Sequence, residues 1–138
     1  MNPELSQSGY FKFPGQEKLK HRKSIQLLFE QGKSAVYSPL RVVYIIKNEE
    51  LSVPKFAVSV PKRLFPSAVD RNKIKRKIRE GYRINKKPLL DQCKVSDASL
   101  HMMWICIKPG KLKYQEIEIA AQKIISKLIK ATQRPINN

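Results

Sequence analysis

Four side chains of this 138-residue sequence have the types and spacing to grip phosphate: Asn72, Arg76, Arg79 and Arg83. They recur at i, i+4, i+7 and i+11, so at about 100° per residue they fall within roughly 60° of one another on a helix. Arginines in such a row present paired N–H donors whose geometry matches phosphate oxygens. They belong to the stretch RNKIKRKIREGYR, residues 71–83, and from Arg71 to Lys87 nine lysines and arginines stand against one acid, Glu80. Those 17 residues carry +8 of a net +17. A solvated charged face would interleave acids with its bases. Here only Glu80 is within reach, from Arg76 at i−4 and Lys77 at i−3, so most of the cations require an anion outside the helix.

No comparable set exists for catalysis. His21 sits in a basic helix start and His101 in an apolar run, and nothing in the spacing brings them together. Glu49 and Glu50 fall in a turn, and Glu116 and Glu118 open the last helix, where the dipole favours acids. Neither a DxD nor an HExxH spacing occurs. Cys93 and Cys106 are isolated, without the pairing of a zinc site or a disulfide framework. The expectation is therefore no catalytic residue and no metal ligand on the chain, with binding as its work.

The elements that must hold the phosphate row can be read around it. Ile74, Ile78 and Tyr82 stack at i, i+4 and i+8, with Gly81 beside them, as an inward stripe. Arg71 and Lys75 fall on the border between the two faces. Asp70 or Ser67 is placed to cap the helix, and Pro88 to stop it. Ahead of it, a first helix begins near Lys20, with Ile25, Leu28 and Phe29 facing the core and Gly32 just past its end. Leu40–Lys47 is the clearest strand, with Val42, Tyr44 and Ile46 on one face and Val43 and Ile45 on the other, so each side of its sheet needs some cover. Ser34–Tyr37 adds a short strand before it. Lys55–Val60 follows closely enough to suggest a hairpin partner for Leu40–Lys47. Pro88–Ser99 reads as a polar linker, Leu100–Lys108 as a central strand and Tyr114–Ala131 as an amphipathic helix. The sequence thus predicts an α+β fold of order α-β-β-β-α-β-α with a four-stranded mixed sheet.

At 16.0 kDa and 41% hydrophobic residues, one domain spanning 1–138 is expected, with an extended arm over 1–17 and a tail over 132–138. A pI near 10.1 favours nucleic acid over other partners. No apolar run approaches the roughly 18 residues of a membrane span, and residues 1–15 lack a signal peptide's apolar core, so a soluble cytoplasmic protein without a membrane partner is expected. No protein partner is evident.

The element order, with RNKIKRKIREGYR after the third strand, resembles the protein subunit of bacterial ribonuclease P from roughly Lys18 to Ile129. Arg71, Asn72, Lys75, Arg76, Arg79, Glu80, Tyr82 and Arg83 match that family's pattern at fixed spacing. Phe29 with Gly32, the segment Ser59–Arg63, and Lys108–Gly110 resemble it too. The family usually has Arg at Lys73, commonly Ser at Pro61, and a shorter, glycine-containing crossover at Leu64-Phe65-Pro66; Ile25 stands where an aromatic is often found.

The resemblance implies an α/β sandwich whose basic helix is the crossover of a left-handed βαβ unit. It also implies a protein that binds the catalytic RNA of ribonuclease P and helps it remove the 5′ leader from precursor transfer RNA, an endoribonuclease whose catalytic groups lie on RNA and on Mg2+ required by the holoenzyme. RNA contacts are then expected from Arg71, Asn72, Lys73, Lys75, Arg76, Arg79, Arg83, Lys62 and Arg63. A cleft between that helix and the sheet would hold the leader, with Phe29, Tyr44, Ser59 and Lys62 carried onto it. From the residues themselves, Tyr44 fits equally a stacking platform for a base and a core tyrosine, while Phe29 and Trp104 read as core. A structural RNA binder of ribosomal type shares the charge, and the motif spacing separates the two. DNA reading is disfavoured, because a helix that must pack its apolar stripe leaves few side chains for bases.

Overall fold

A computed structural model describes residues 18–19, 22–48 and 53–133 of the chain. Its elements run α1 (Arg22–Gln31), β1 (Lys33–Tyr37), β2 (Leu40–Asn48), β3 (Lys55–Ser59), α2 (Ala68–Asn85), α3 (Lys87–Ser96), β4 (Ala98–Cys106) and α4 (Tyr114–Gln133). The expected arm over 1–17, His21 and the Glu49-Glu50 turn lie outside the described residues.

The strands form one mixed sheet in the order β1-β2-β4-β3, antiparallel except for the parallel pair β3–β4. Strand β4 takes the middle because both of its faces are buried, Leu100, Met102, Trp104 and Cys106 on one and Met103 with Ser99 and His101 on the other; every residue except Ile105 is buried. That corrects one expectation. Strand β2 does not pair with β3; it turns back on β1 through Ser38 and a cis-Pro39, with Tyr37 opposite Leu40, and β4 lies between β2 and β3. Sequence proximity favours hairpins, but the most apolar strand, buried on both faces, occupies the centre.

Both faces of the sheet are covered, as the alternation along β2 predicts. Leu40, Val42 and Tyr44 join Leu100, Met102, Trp104 and Cys106 in the main core beneath α2 and α4. Val43 and Met103 face the opposite way, against Leu28 of α1 and Leu19. Helix α1 sits close on β2 because of Gly32. Its N–H donates to the Leu28 carbonyl at 2.8 Å, and a Cβ there would collide with that carbonyl and stand 2.9 Å from Val43 Cγ1.

A second correction concerns residues 88–99, which are not a linker. Pro88 opens α3, where its missing N–H costs nothing because first-turn donors have no helical partner. Leu89 and Cys93 are buried, and the helix closes on Asp97 in the left-handed region (φ 50°, ψ 41°), whose N–H reaches the carbonyls of Cys93 and Lys94. The crossover from β3 to β4 is therefore two helices long. Helix α4 also runs on through Gln133, with Thr132 buried, so residues 132 and 133 of the expected tail are helix, and the rest of that segment lies outside the described residues.

Candidate nucleic-acid interface

Helix α2 is fixed first at its start and along its inner face. Of the two expected caps Ser67 is the one used; its Oγ accepts from the Asp70 N–H at 3.4 Å, and Asp70 places an acid in the first turn. The buried residues are Ile74, Ile78, Gly81 and Tyr82, the predicted stripe. Phe56 of β3 lies flat on Tyr82, with centroids 4.4 Å apart and planes 5° apart. Trp104 meets both rings edge-on at 5.3 and 5.4 Å. Such pairs add about 0.5–1.5 kcal/mol each beyond the area they bury. At Gly81 an added Cβ would stand 3.4 Å from Ala121 Cβ, so α2 lies close along α4. At that junction Tyr114 donates to Glu118 at 3.2 Å, and burial together with Glu118 pushes the phenol up to about 12.

With the inner face locked, the outer face is aimed at solvent. Asn72, Arg76, Arg79 and Arg83 line one open groove of about 380 Å³ with Glu80. The four residues singled out by spacing are thus brought together. Glu80, expected within reach of Arg76 and Lys77, instead pairs with Arg83, through Nη2–Oε1 at 2.5 Å and Nε–Oε2 at 3.0 Å. The two-pronged guanidinium grips both carboxylate oxygens, which lowers the Glu80 pKa and raises that of Arg83. Arg76 and Arg79 are exposed and have no ion pair among the described residues.

The remaining cations divide. Lys73 is exposed and Lys75 half-buried on α2. Lys62 and Arg63 are exposed on a turn closed by the Leu64 and Phe65 N–H groups, both donating to the Pro61 carbonyl at 3.1 Å. Arg71 turns inward instead. Its Nη1 donates to the carbonyls of Phe65 at 2.9 Å and Pro66 at 2.8 Å. Lys77 likewise ties α2 to the loop before α4, donating to the Leu112 carbonyl at 2.7 Å.

The family profile of ribonuclease P matches residues 13–130. The chain is similar to the ribonuclease P protein component of Porphyromonas gingivalis (strain W83), 34% identical over 113 residues that cover 81% of this chain and 82% of that one. It is 35% identical over 103 residues to the ribonuclease P protein component of Dictyoglomus turgidum, covering 75% and 77%. This chain belongs to the ribonuclease P protein family. Among solved structures, the ribonuclease P protein of Staphylococcus aureus superposes with a TM-score of 0.65 at 25% identity, over 80% of this chain and 94% of that one. The ribonuclease P protein from Thermotoga maritima shares the fold at a TM-score of 0.52 and 22% identity, over 86% and 97%.

The four leader-cleft residues drawn from the ribonuclease P resemblance do not share one surface. The space between α2 and the sheet is filled by Phe56, Tyr82 and Trp104, and Tyr44 is 4% exposed in that same core. Phe29, expected in the core, is 53% exposed on α1, because Leu28 alone turns fully onto the sheet. Ser59 lies opposite Ile105 and so on the α1 side of the sheet, with Lys62 in the turn just beyond. On that side the register aligns Val36, Arg41, Ile105 and Ser59 across all four strands. Val36 and Arg41 are exposed and Ile105 and Ser59 half-buried, so this row is open where α1 does not reach. Arg41, which donates to Ser34 Oγ at 3.3 Å, was not singled out by sequence; the alternation that sends Val43 and Ile45 to this face carries it too.

The two thiols and the His101 imidazole are enclosed by the core. Cys93, Cys106 and His101 are buried, and burial pushes the Cys93 thiol up to about 11 and raises that of Cys106.

Proposed function

We propose that this chain is the protein component of a ribonuclease P ribonucleoprotein, binding the catalytic RNA through the outer face of α2 and assisting removal of the 5′ leader from precursor transfer RNA. The observation that carries this is the groove of Asn72, Arg76, Arg79 and Arg83 on a helix whose opposite face is sealed by packed rings. A rigid cationic row meets phosphates without having to be ordered first, and each phosphate neutralised releases condensed counterions. The protein lowers the repulsion between RNA strands that must approach one another. Bond breaking falls to the RNA.

A single-stranded leader fits the open row on the α1 side of the sheet rather than the filled space beneath α2. Exposed Phe29 offers a stacking surface, Arg41 and Lys62 supply charge, and Ser59 offers a hydroxyl. For the magnesium that the family implies for the holoenzyme, the reading assigns binding to the RNA: among the described residues no three His, Cys, Asp or Glu side chains gather to hold an ion, and Glu80 in the groove is held by Arg83. Among the described residues, no helix is long and apolar enough to cross a membrane.

The test adds purified protein to a matched bacterial ribonuclease P RNA with precursor transfer RNA at low magnesium. Stimulated cleavage at the mature 5′ end is expected. Absence of stimulation would overturn the reading, and cleavage by the protein without RNA would overturn the assignment of chemistry to the RNA.

A further inference from the structure

Arg71 opens the motif helix, yet its side chain faces its own chain. Both hydrogens of Nη1 are used on backbone carbonyls, Phe65 at 2.9 Å and Pro66 at 2.8 Å. Those carbonyls end the segment that leads from β3 into α2. Its layout is regular: Val60 is buried, Pro61 accepts from the N–H groups of Leu64 and Phe65, Lys62 and Arg63 project at the tip, Phe65 is buried, and Ser67 caps α2. The segment is therefore a short arch with two exposed cations at its crown. Phe65 anchors one foot in the core, and Arg71 fastens that foot to the first turn of α2.

We infer that Arg71 is a positioning residue: it holds the 61–67 arch so that Lys62 and Arg63 extend the phosphate-binding row of α2 towards the open end of β3. The inference rests on the ribonuclease P reading above. It departs from a simple contact role, in which Arg71 would supply one more charge to the RNA. A guanidinium suits the clamp because one nitrogen carries two N–H donors in a fixed plane, set to meet successive carbonyls. Lysine keeps the charge, but its ammonium is tetrahedral rather than planar and sits one bond closer to the backbone than Nη1, so charge and clamp separate in Arg71→Lys.

The experiment measures binding of a bacterial ribonuclease P RNA against salt for Arg71→Lys, for Lys62→Ala with Arg63→Ala, and for the triple variant. Two lost phosphate contacts flatten the log–log salt slope of the double variant by about two. Arg71→Lys is expected to flatten it by about one or more although no charge is lost, and to add little on top of the double variant, because the arch it aims no longer carries cations. An unchanged slope in Arg71→Lys, or a full additive loss in the triple variant, overturns the proposal. Amide exchange gives a reading independent of RNA: the Leu64 and Phe65 N–H groups should exchange faster in Arg71→Lys while the Ile78 and Tyr82 amides keep wild-type rates. Unaltered exchange at Leu64 and Phe65 also overturns it. If these variants and Arg76→Glu with Arg79→Glu all bind RNA like wild type, the ribonuclease P reading itself fails, and the exchange rates alone decide whether the clamp exists.

Discussion

The two faces of α2 are made of the same helix and solve opposite problems. On the inner face Ile74, Ile78 and Tyr82 are sealed against Phe56, Trp104 and α4, and every group has protein neighbours. On the outer face Arg76 and Arg79 stand in solvent, and among the groove residues a direct ion pair joins Arg83 to Glu80. The inner face supplies stability and receives none from charge. The outer face costs a few tenths of a kcal/mol per like-charged pair and repays it only when an anion arrives. Rigidity on one side is what makes the other side an ordered receptor, so damage to either should leave a different signature.

Removing the ring of Tyr82 is the largest break. Tyr82→Ala should lower stability by about 3–5 kcal/mol, as other large-to-small aromatic changes do, and a denaturant titration would measure it. Where the variant is still folded, its RNA salt slope should match wild type, since no cation has been lost. On the other face, Arg76→Glu with Arg79→Glu should weaken RNA binding strongly and flatten the salt slope by about two or more. Its unfolding midpoint should stay put or rise slightly, because like-charge repulsion is relieved. An unchanged slope would move the RNA contact off this face.

Glu80→Gln sharpens the comparison by a smaller step. It releases Arg83 to the groove and should steepen the salt slope by up to about one. The sign with pH follows from the lowered Glu80 pKa: the pair stabilises the fold at pH above the carboxyl's ordinary range, and that contribution is lost as the pH falls through the lowered folded value. Because both side chains are partly exposed, the effect should be under about 1 kcal/mol, and the wild-type stability curve should show a small acid-side loss that Glu80→Gln lacks. Smallest is Gly81→Ala. The added methyl would meet Ala121 at ordinary contact distance, and alanine's better helix propensity should give a gain of no more than about 1 kcal/mol.

Both faces of α2 were legible in sequence because each repeats with the helical period, and a period survives whatever packs on it. The alternation along β2 was legible for the same reason, and so was β4 as the central strand, whose mostly apolar run is best placed between two neighbours. Features set by contacts distant in sequence, or by which of two local meanings a residue takes, were not legible. Pro88 has the same chemistry as a stop and as a first-turn residue, and Leu89 with Cys93 decided for the second by packing against the core. Proximity in sequence points to a β2–β3 hairpin, whereas burial places β4 between the two strands. Arg71 looked like one more cation in a row; its role depends on two carbonyls whose direction is set by the arch at 61–67. Phe29 shows the narrowest margin. It is one residue from Leu28, about 100° around α1, and that rotation takes it from the sheet into solvent.

The central place of β4 has a consequence for the order in which the protein can assemble. Among the described residues it is the last strand, and it is the neighbour of both β2 and β3. A growing chain that has not yet reached Ala98 can close the local β1–β2 hairpin, but among the described residues β3 then keeps only the single bridge from Lys18 to Phe56, and Ile74, Ile78 and Tyr82 have neither Trp104 nor α4 to pack on. Contacts so far apart in sequence form late. The cationic face is therefore ordered only once β4 and α4 have been made, which keeps a chain that lacks them from presenting its arginine row on a rigid helix.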